Sequence, residues 1–317
     1  MKNKVILLMA VCAAVCSCKK ESGNYGKINK PAVSPGKLYT VGFNLSQFTS
    51  NVSKQAVNAV GVTSLRDQIK YLQYFVDTGA FNENNVVKPY KQITQKSTDP
   101  NFGMISDKLP AGDYIIYLVG GQAPANVKYE RKTAAQLYGD PIFYYNNSSI
   151  YDTYFKEIIL TVSGAVNQSV ILTRAISEIA VKITDPLPQQ AATIKLSFVD
   201  FPRGFDLHWG IGDPHEHDII DPYPTAHFSF PVKSIDKGKA GFTVSTPVWP
   251  FFYPTISIDC LDVNGKIIGH KEISYADIKI NTKYTFSGKL FDKNTGFNVD
   301  LDTKWDTPIN VPFSIGE

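Results

Sequence analysis

Charge is scarce in this sequence, and it is not gathered anywhere. Only 19% of the 317 residues are charged, and no lysine- and arginine-rich run occurs. The formal net charge of +3 falls to +1 once Lys2 and Lys4 leave with a cleaved leader. Such a chain has no electrostatic footprint for nucleic acid. Cysteine is scarcer still in the folded part. Of Cys12, Cys16, Cys18 and Cys260, three lie in the first eighteen residues, so the body of the chain has no internal disulfide. Cys260, within ISIDCLDV, reads as a small buried apolar residue. The longest apolar run near the N-terminus, residues 5–15, is too short to span a bilayer comfortably. Catalytic signatures are missing as well. There is no G-x-S-x-G, no glycine-rich phosphate loop after a strand, and no evident histidine partner for Cys260. Neither an enzyme nor a cofactor is expected.

Aromatic and turn-forming residues are abundant. Seventeen Tyr, 19 Phe and a 43% hydrophobic content exclude a disordered chain, while 19 Pro and 22 Gly fit an all-β protein with many turns. The length allows two domains with separate cores.

The first seventeen residues have the parts of an export signal: two lysines, an apolar run, then small residues. Val15-Cys16-Ser17-Cys18 followed by Lys19-Lys20-Glu21 resembles a bacterial lipoprotein box, with Cys16 departing from the usual small residue at its position. Cys18 is then the lipid attachment site, because thioether formation needs a thiol there, and several acyl chains make the anchorage stable. Conventional signal-peptide cleavage is the alternative. Residues 19–34 are polar and aperiodic, with Gly and Pro, and read as a tether that spans tens of ångströms when extended.

Tyr39, Val41, Phe43 and Leu45 alternate with polar partners, which predicts a first strand. Residues 49–64 read as a loop, 64–68 as a short helical turn and 70–76 as a strand. Residues 86–95 form another strand, kept near an edge by Pro89. A Pro110-Ala111-Gly112-Asp113 turn leads to Tyr114, Ile116 and Leu118 on one face and Ile115, Tyr117 and Val119 on the other. With both faces apolar, this strand is expected to be central. Ile158, Leu160 and Val162 mark the next strand. The stretch 169–186 then carries Val170 and Leu172, a short break at Thr173-Arg174, and Ile176, Ile179, Val181 and Ile183 before Asp185-Pro186. It reads as the last strand of one sandwich running into the first strand of a second. Strands are predicted around 194–198, 205–209, 228–232 and 242–249. A hairpin is predicted from 255–261 and 266–273 across Asn264-Gly265, and further strands at 284–290, 297–301 and 309–315.

The lipobox together with YTVGFNLSQF, IKYLQYFVDTG, LPAGDYIIYLVG and LTRAISEIAVKI resembles the fimbrillin-like surface lipoproteins of Bacteroidetes, which include major fimbrial subunits and fimbrial anchor and accessory proteins. The resemblance covers most of the mature chain and lies in strand patterns. It implies an all-β fold of two tandem transthyretin-like β-sandwiches, with a signal peptide at 1–17, lipidated Cys18 and tether at 18–36, and sandwiches at 37–174 and 175–317. It also implies a lipid-anchored outer-membrane protein exposed at the cell surface. Its partners would be the membrane through the lipid, and other fimbrial subunits by strand donation or host and cell-surface ligands. In such subunits an arginine-specific protease removes the first strand, and a neighbour's strand fills the groove. Arg66, after the first strand and its loop, stands where that cut would belong, although an ordinary exposed arginine is the simpler reading. The alternating tail 309–315 would be the donated strand, or would pair within its own domain.

Four of the five histidines fall between His208 and His227. Neutral imidazoles with a carboxylate are normal zinc ligands, which makes His215, His217 and Asp218 the candidate metal set. The spacing is not that of H-E-x-x-H on a helix, and Asp213-Pro214 and Asp221-Pro222 mark a polar surface loop. The aromatic-rich run 138–154 offers rings, Tyr144 and Tyr145 among them, that would stack on sugars in a glycan-binding lipoprotein of a polysaccharide-uptake system. The plainer reading places them in the core and in an inter-domain contact. Asp300 and Asp302 read as a solvated strand face.

Overall fold

The computed structural model describes residues 36–48, 64–77, 90–130, 140–144, 149–202, 204–212, 225–275, 277–303, 305 and 313–314. Cys18, Tyr145, His215, His217 and Asp218 lie outside these residues, as do Pro89 and most of the 309–315 tail. The described residues belong to one compact unit. Their regular secondary structure is almost entirely strand, as the sequence predicts.

The first half contains β1 (Tyr39–Phe48), the one-turn helix α1 (Leu65–Gln68), β2 (Tyr71–Asp77), β3 (Lys91–Lys96), β4 (Met104–Leu109), β5 (Gly112–Gly121), β6 (Asn126–Glu130), β7 (Asp140–Tyr144), β8 (Ser149–Ile150), β9 (Thr153–Val162) and β10 (Val166–Arg174). The second contains β11 (Ser177–Ile183), β12 (Thr193–Val199), β13 (Phe205–Asp206), β14 (Ile211–Gly212), β15 (Ala226–Pro231), β16 (Phe242–Val248), β17 (Thr255–Leu261), β18 (Ile267–Ser274), β19 (Lys283–Gly288), β20 (Phe297–Asp302) and β21 (Phe313–Ser314).

Seven strands of the first half run in the order β3-β2-β5-β9-β10-β1-β4. The join between β9 and β10 is narrow, limited to Thr173 opposite Phe155 and Arg174 opposite Tyr154. Either side of that join, β3-β2-β5-β9 and β10-β1-β4 enclose a core of Val41, Phe43, Leu45, Leu72, Tyr74, Ile116, Leu118 and Leu172. The second half has two sheets, β15-β12-β17-β18 and β16-β11-β19-β20.

The pairing scheme repeats. In the first half β1 sits between β4, antiparallel, and β10, parallel. In the second, β11 sits between β16, antiparallel, and β19, parallel. Likewise β2 lies between β3 and β5, and β12 between β15 and β17. One seven-strand plan is therefore used twice, with β20 added beyond β19 in the second half.

A second core is built on the C-terminal half and reaches across it. It contains Ile179, Val181, Ile183, Ile194, Leu196, Phe198, Ile256, Ile258 and Phe286, together with Phe75, Tyr117, Val119, Phe143 and Ile150 from the first half. β5 explains this sharing. Its Tyr114, Ile116 and Leu118 face the first core, while Tyr117 and Val119 face the second. That is the two-sided burial expected of a strand apolar on both faces. A small sheet, β14-β13-β7-β6, takes two strands from each half.

Several local expectations are revised. The chain does not break at Thr173-Arg174: β10 continues through Arg174, because both residues pair with β9. The predicted strand 205–209 stops at Asp206. The Asp206 carboxylate accepts the amides of His208 and Trp209 at 2.9 Å each, and its carbonyl accepts the Gly210 amide at 2.9 Å, which bends the chain into a turn. The turn after β17 is wider than a two-residue Asn-Gly loop. Asp262 accepts the Asn264 and Lys266 amides at 2.8 and 2.9 Å, and Gly265 takes φ of 78°. Strands β4 and β6 are additional to those predicted: β4 buries every second residue, Ile105, Asp107 and Leu109, and the charge at Asp107 hides that alternation in the sequence.

Candidate functional site

The junction between the halves is organised around Arg174, the last residue of β10. Its Nε donates to Asp152 Oδ1 at 2.9 Å and its Nη2 to Asp152 Oδ2 at 3.1 Å, a two-pronged carboxylate contact. Nη2 also donates to the Tyr154 hydroxyl at 3.0 Å, and Nη1 to the Trp305 carbonyl at 3.1 Å. The side chains of Arg174 and Asp152 are each 3% exposed. Burial opposes the guanidinium's charge, but the Asp152 carboxylate and Tyr154 hydroxyl hold Arg174 charged. Burial raises the Tyr154 hydroxyl, and Asp152 raises it further. This arrangement fixes the exit of the first half and the segment before the C-terminal strand; it is a structural tie whose two charged side chains are closed off from solvent.

Arg66 lies in α1, whose first turn is set by Ser64. The Ser64 amide and hydroxyl donate to Asp67 at 3.0 and 2.8 Å. The Arg66 guanidinium donates to the carbonyls of Ser97, of Asp99 at 2.8 Å and of Pro100 at 3.0 Å. Its carbon lies 5.5 Å from the Phe102 ring centroid. Arg66 is thus half-buried and engaged on the 97–102 turn. Proteases bind their substrates extended, so a cut after Arg66 needs α1 to unwind and these bonds to open. Strand β1, which such a cut would release, places Val41, Phe43 and Leu45 in the first core at 0%, 2% and 4% exposure.

The described histidines each have a near partner. His208 Nδ1 is 2.9 Å from Glu157 Oε1, His227 Nδ1 is 2.9 Å from Ser197 Oγ, and His270 Nδ1 is 2.7 Å from Asp259 Oδ1. The His227 side chain is held in its neutral form by burial, with Lys195 adding to the effect. No group of three or more potential metal ligands occurs among the described residues. Cys260 is fully buried on β17, and burial pushes its thiol up to about 11.

The aromatic run does not form a sugar platform in its described part. Phe143 is buried edge-on against Trp249, with ring centroids 6.0 Å apart, and Tyr154 is buried beside Arg174. Tyr144 and Tyr151 are half-buried. Among the described residues the rings that face outward lie elsewhere: Tyr90, Trp209, Phe252 and Tyr253 are 55%, 57%, 54% and 81% exposed. The turn drawn by Asp206 presents Trp209, and a positive φ of 51° at Tyr253 presents that ring. Periodicity gives no signal for either, since both depend on turn chemistry.

The C-terminal tail pairs within its own chain where it is described, with Phe313 opposite Ile150 and Ser314 opposite Ser149. No helix among the described residues is long and apolar enough to cross a membrane.

No family model matches the chain, and no curated protein does. Solved structures resemble it at low identity. A candidate polysaccharide-binding protein from Bacteroides thetaiotaomicron is 11% identical, with a TM-score of 0.49 over 88% of this chain and 99% of the other. A candidate adhesin from Bacteroides ovatus is 11% identical, with a TM-score of 0.47 over 77% and 85%. The tip fimbrial protein Mfa3 from Porphyromonas gingivalis is 9% identical, with a TM-score of 0.40 over 84% and 99%.

Proposed function

We propose that the chain is an outer-membrane lipoprotein, anchored through Cys18 and displayed at the cell surface, that serves as a fimbrial or adhesin component by protein–protein or cell-surface contacts. The observation that carries this reading is how the tether enters the fold. The polar stretch after Cys18 leads directly into β1, which is hydrogen-bonded along both sides, to β4 from Tyr39 to Asn44 and to β10 from Val41 to Phe48. A pull between anchor and body loads these two ladders in shear, so many bonds must yield together. An anchored protein that transmits adhesive force needs such an attachment.

Two measurements test it. Cys18→Ala abolishes labelling by a fatty-acid analogue and moves the protein from the outer-membrane fraction into the soluble one; unchanged membrane retention would remove the anchor. Treatment of the intact protein with an arginine-specific protease, followed by mass and oligomer size, separates the assembly roles. One cut at Arg66 with a ladder of stable oligomers marks a polymerising subunit, whereas an intact monomer leaves an anchor or tip. The rival glycan-binding reading is favoured by the outward rings of Trp209, Phe252 and Tyr253, because exposed aromatic faces stack on sugars. Soluble-glycan binding lost in Trp209→Ala and Tyr253→Ala would favour that rival.

A further inference from the structure

One strand edge of the first half stands apart from every other. Beyond the join at Thr173 and Arg174, β9 and β10 diverge toward their connecting turn, and among the described residues no strand pairs with the outer side of β10 over residues 166–171. The sandwich is open there. Gln168 lies opposite Phe43, on the pleat side that turns Val41, Phe43 and Leu45 into the core, yet it is exposed. Ile171 on β10 is 45% exposed, and Ile159 on the other arm of the same hairpin is 72% exposed.

The repeated strand plan shows what such an edge accepts. The counterpart of β10 is β19, the strand parallel to the first strand of its half. β20 pairs antiparallel along the outer side of β19, from Lys283 opposite Asp302 to Gly288 opposite Phe297. The first half has no such strand among its described residues.

The edge is also unguarded. Exposed edges normally carry charge or proline that blocks pairing with another chain. The other long edges follow that rule. β3 has Lys91 and Lys96, β4 has Asp107 and Lys108, β15 has Pro231, β16 has Pro247, β18 has Lys271 and Glu272, and β20 has Asp300 and Asp302. The free side of β9 carries Lys156 and Glu157. Residues 166–171, Val-Asn-Gln-Ser-Val-Ile, hold no charge and no proline.

We propose that the outer edge of β10, residues 166–171, is an interaction edge that pairs antiparallel with the same edge of a second copy of this chain. An uncharged edge does not repel its own image, and a two-fold axis brings identical strands together antiparallel. The pairing spans about 20 Å of strand, satisfies backbone groups on both edges and covers Ile171. It involves neither removal of β1 nor donation of the tail, so it stands apart from the fimbrial reading.

The full chain, purified in detergent, tests this by sedimentation in density-matched buffer over a dilution series, with hydrogen exchange followed in parallel. A dimer is expected that dissociates on dilution, with the amides of 166–171 that do not bond to β1 exchanging faster as it does so. Ser169→Lys sets two like charges near the two-fold axis and should raise the dimer dissociation constant by at least about tenfold. Its thermal unfolding should match the parent, since Ser169 is exposed. Thr94→Lys, at the already guarded edge of β3, should leave the dimer unchanged. A monomer at every concentration would overturn the proposal, as would a dimer indifferent to Ser169→Lys. Outward amides of 166–171, those not bonded to β1, that stay protected in a monomer would also overturn it, by showing that the chain covers its own edge.

Discussion

The guanidinium carbon of Arg174 lies 4.3 Å from the centroid of the Trp305 ring, and the same side chain donates to the Trp305 carbonyl at 3.1 Å. A residue from the last strand of the first half thereby holds a segment that follows the last long strand of the second. Asp152 neutralises the buried cation, and the Tyr154 hydroxyl accepts a further hydrogen bond from it. The halves are thus tied by an ionic group as well as by their shared core.

Removing that cation should be costly. Arg174→Met leaves Asp152 buried without its partner, and breaking a buried pair in this way costs about 3–5 kcal/mol. Arg174→Lys should rescue only in part, because an ammonium cannot make the two-pronged contact and stack on Trp305 together. Chemical denaturation checks both. A loss under about 1 kcal/mol for Arg174→Met would show that the tie contributes little beyond packing.

The surroundings of Arg66 lead to a kinetic expectation. With its guanidinium on three carbonyls and its backbone in α1, Arg66 should be cut by an arginine-specific protease far more slowly in the native protein than in the unfolded chain. Ser64→Ala together with Asp67→Ala removes the cap and should speed the cut at this position while leaving other sites unchanged. Mass spectrometry of early digestion products gives the comparison.

How far the sequence could be read follows from the range of each interaction. The strands at 39–48, 194–198, 255–261 and 267–274 were legible because alternation is local, and Ile194, Leu196, Ile256 and Ile258 are buried as that pattern requires. The double-sided apolar pattern of β5 was legible for the same reason. The sheet β14-β13-β7-β6 was not, because its register, Phe205 opposite Phe143 and Asp206 opposite Ile142, joins segments more than sixty residues apart with no motif in either. Arg174 looked like an interruption between two apolar runs. Its role depends on Asp152 and Trp305, and only the isolated charge inside a hydrophobic stretch could have pointed to it. The candidate residues Cys18, His215, His217 and Asp218 rest on local sequence alone.

Cys260 offers a reporter of unfolding. Its thiol is buried on β17, and burial pushes it up to about 11, so little thiolate is present at pH 8. Native protein should resist alkylation at Cys260 at that pH, and labelling should appear only with global unfolding. Rapid labelling of the folded protein, read by peptide mass, would mean that the sheet β15-β12-β17-β18 opens locally.

His227 sets a pH dependence whose sign is fixed. Burial is the first cause and the nearby Lys195 charge the second, and together they lower its proton affinity below the ordinary value of 6.5. The unfolded chain therefore binds more protons at this position than the folded one as the pH falls through 6.5 toward the lowered value. Stability contributed by His227 is fully present above 6.5 and is lost as the solution acidifies below it. His227→Gln keeps a hydrogen-bonding side chain beside Ser197 and removes the titration. The thermal midpoint of the parent should fall more between pH 7.5 and 5.5 than that of His227→Gln, with the two converging at the upper pH. Asp259 on β17 acts in the opposite direction, and as the smallest of the three causes it leaves the sign unchanged. Parallel curves for the two proteins would show that His227 titrates alike in the folded and unfolded states.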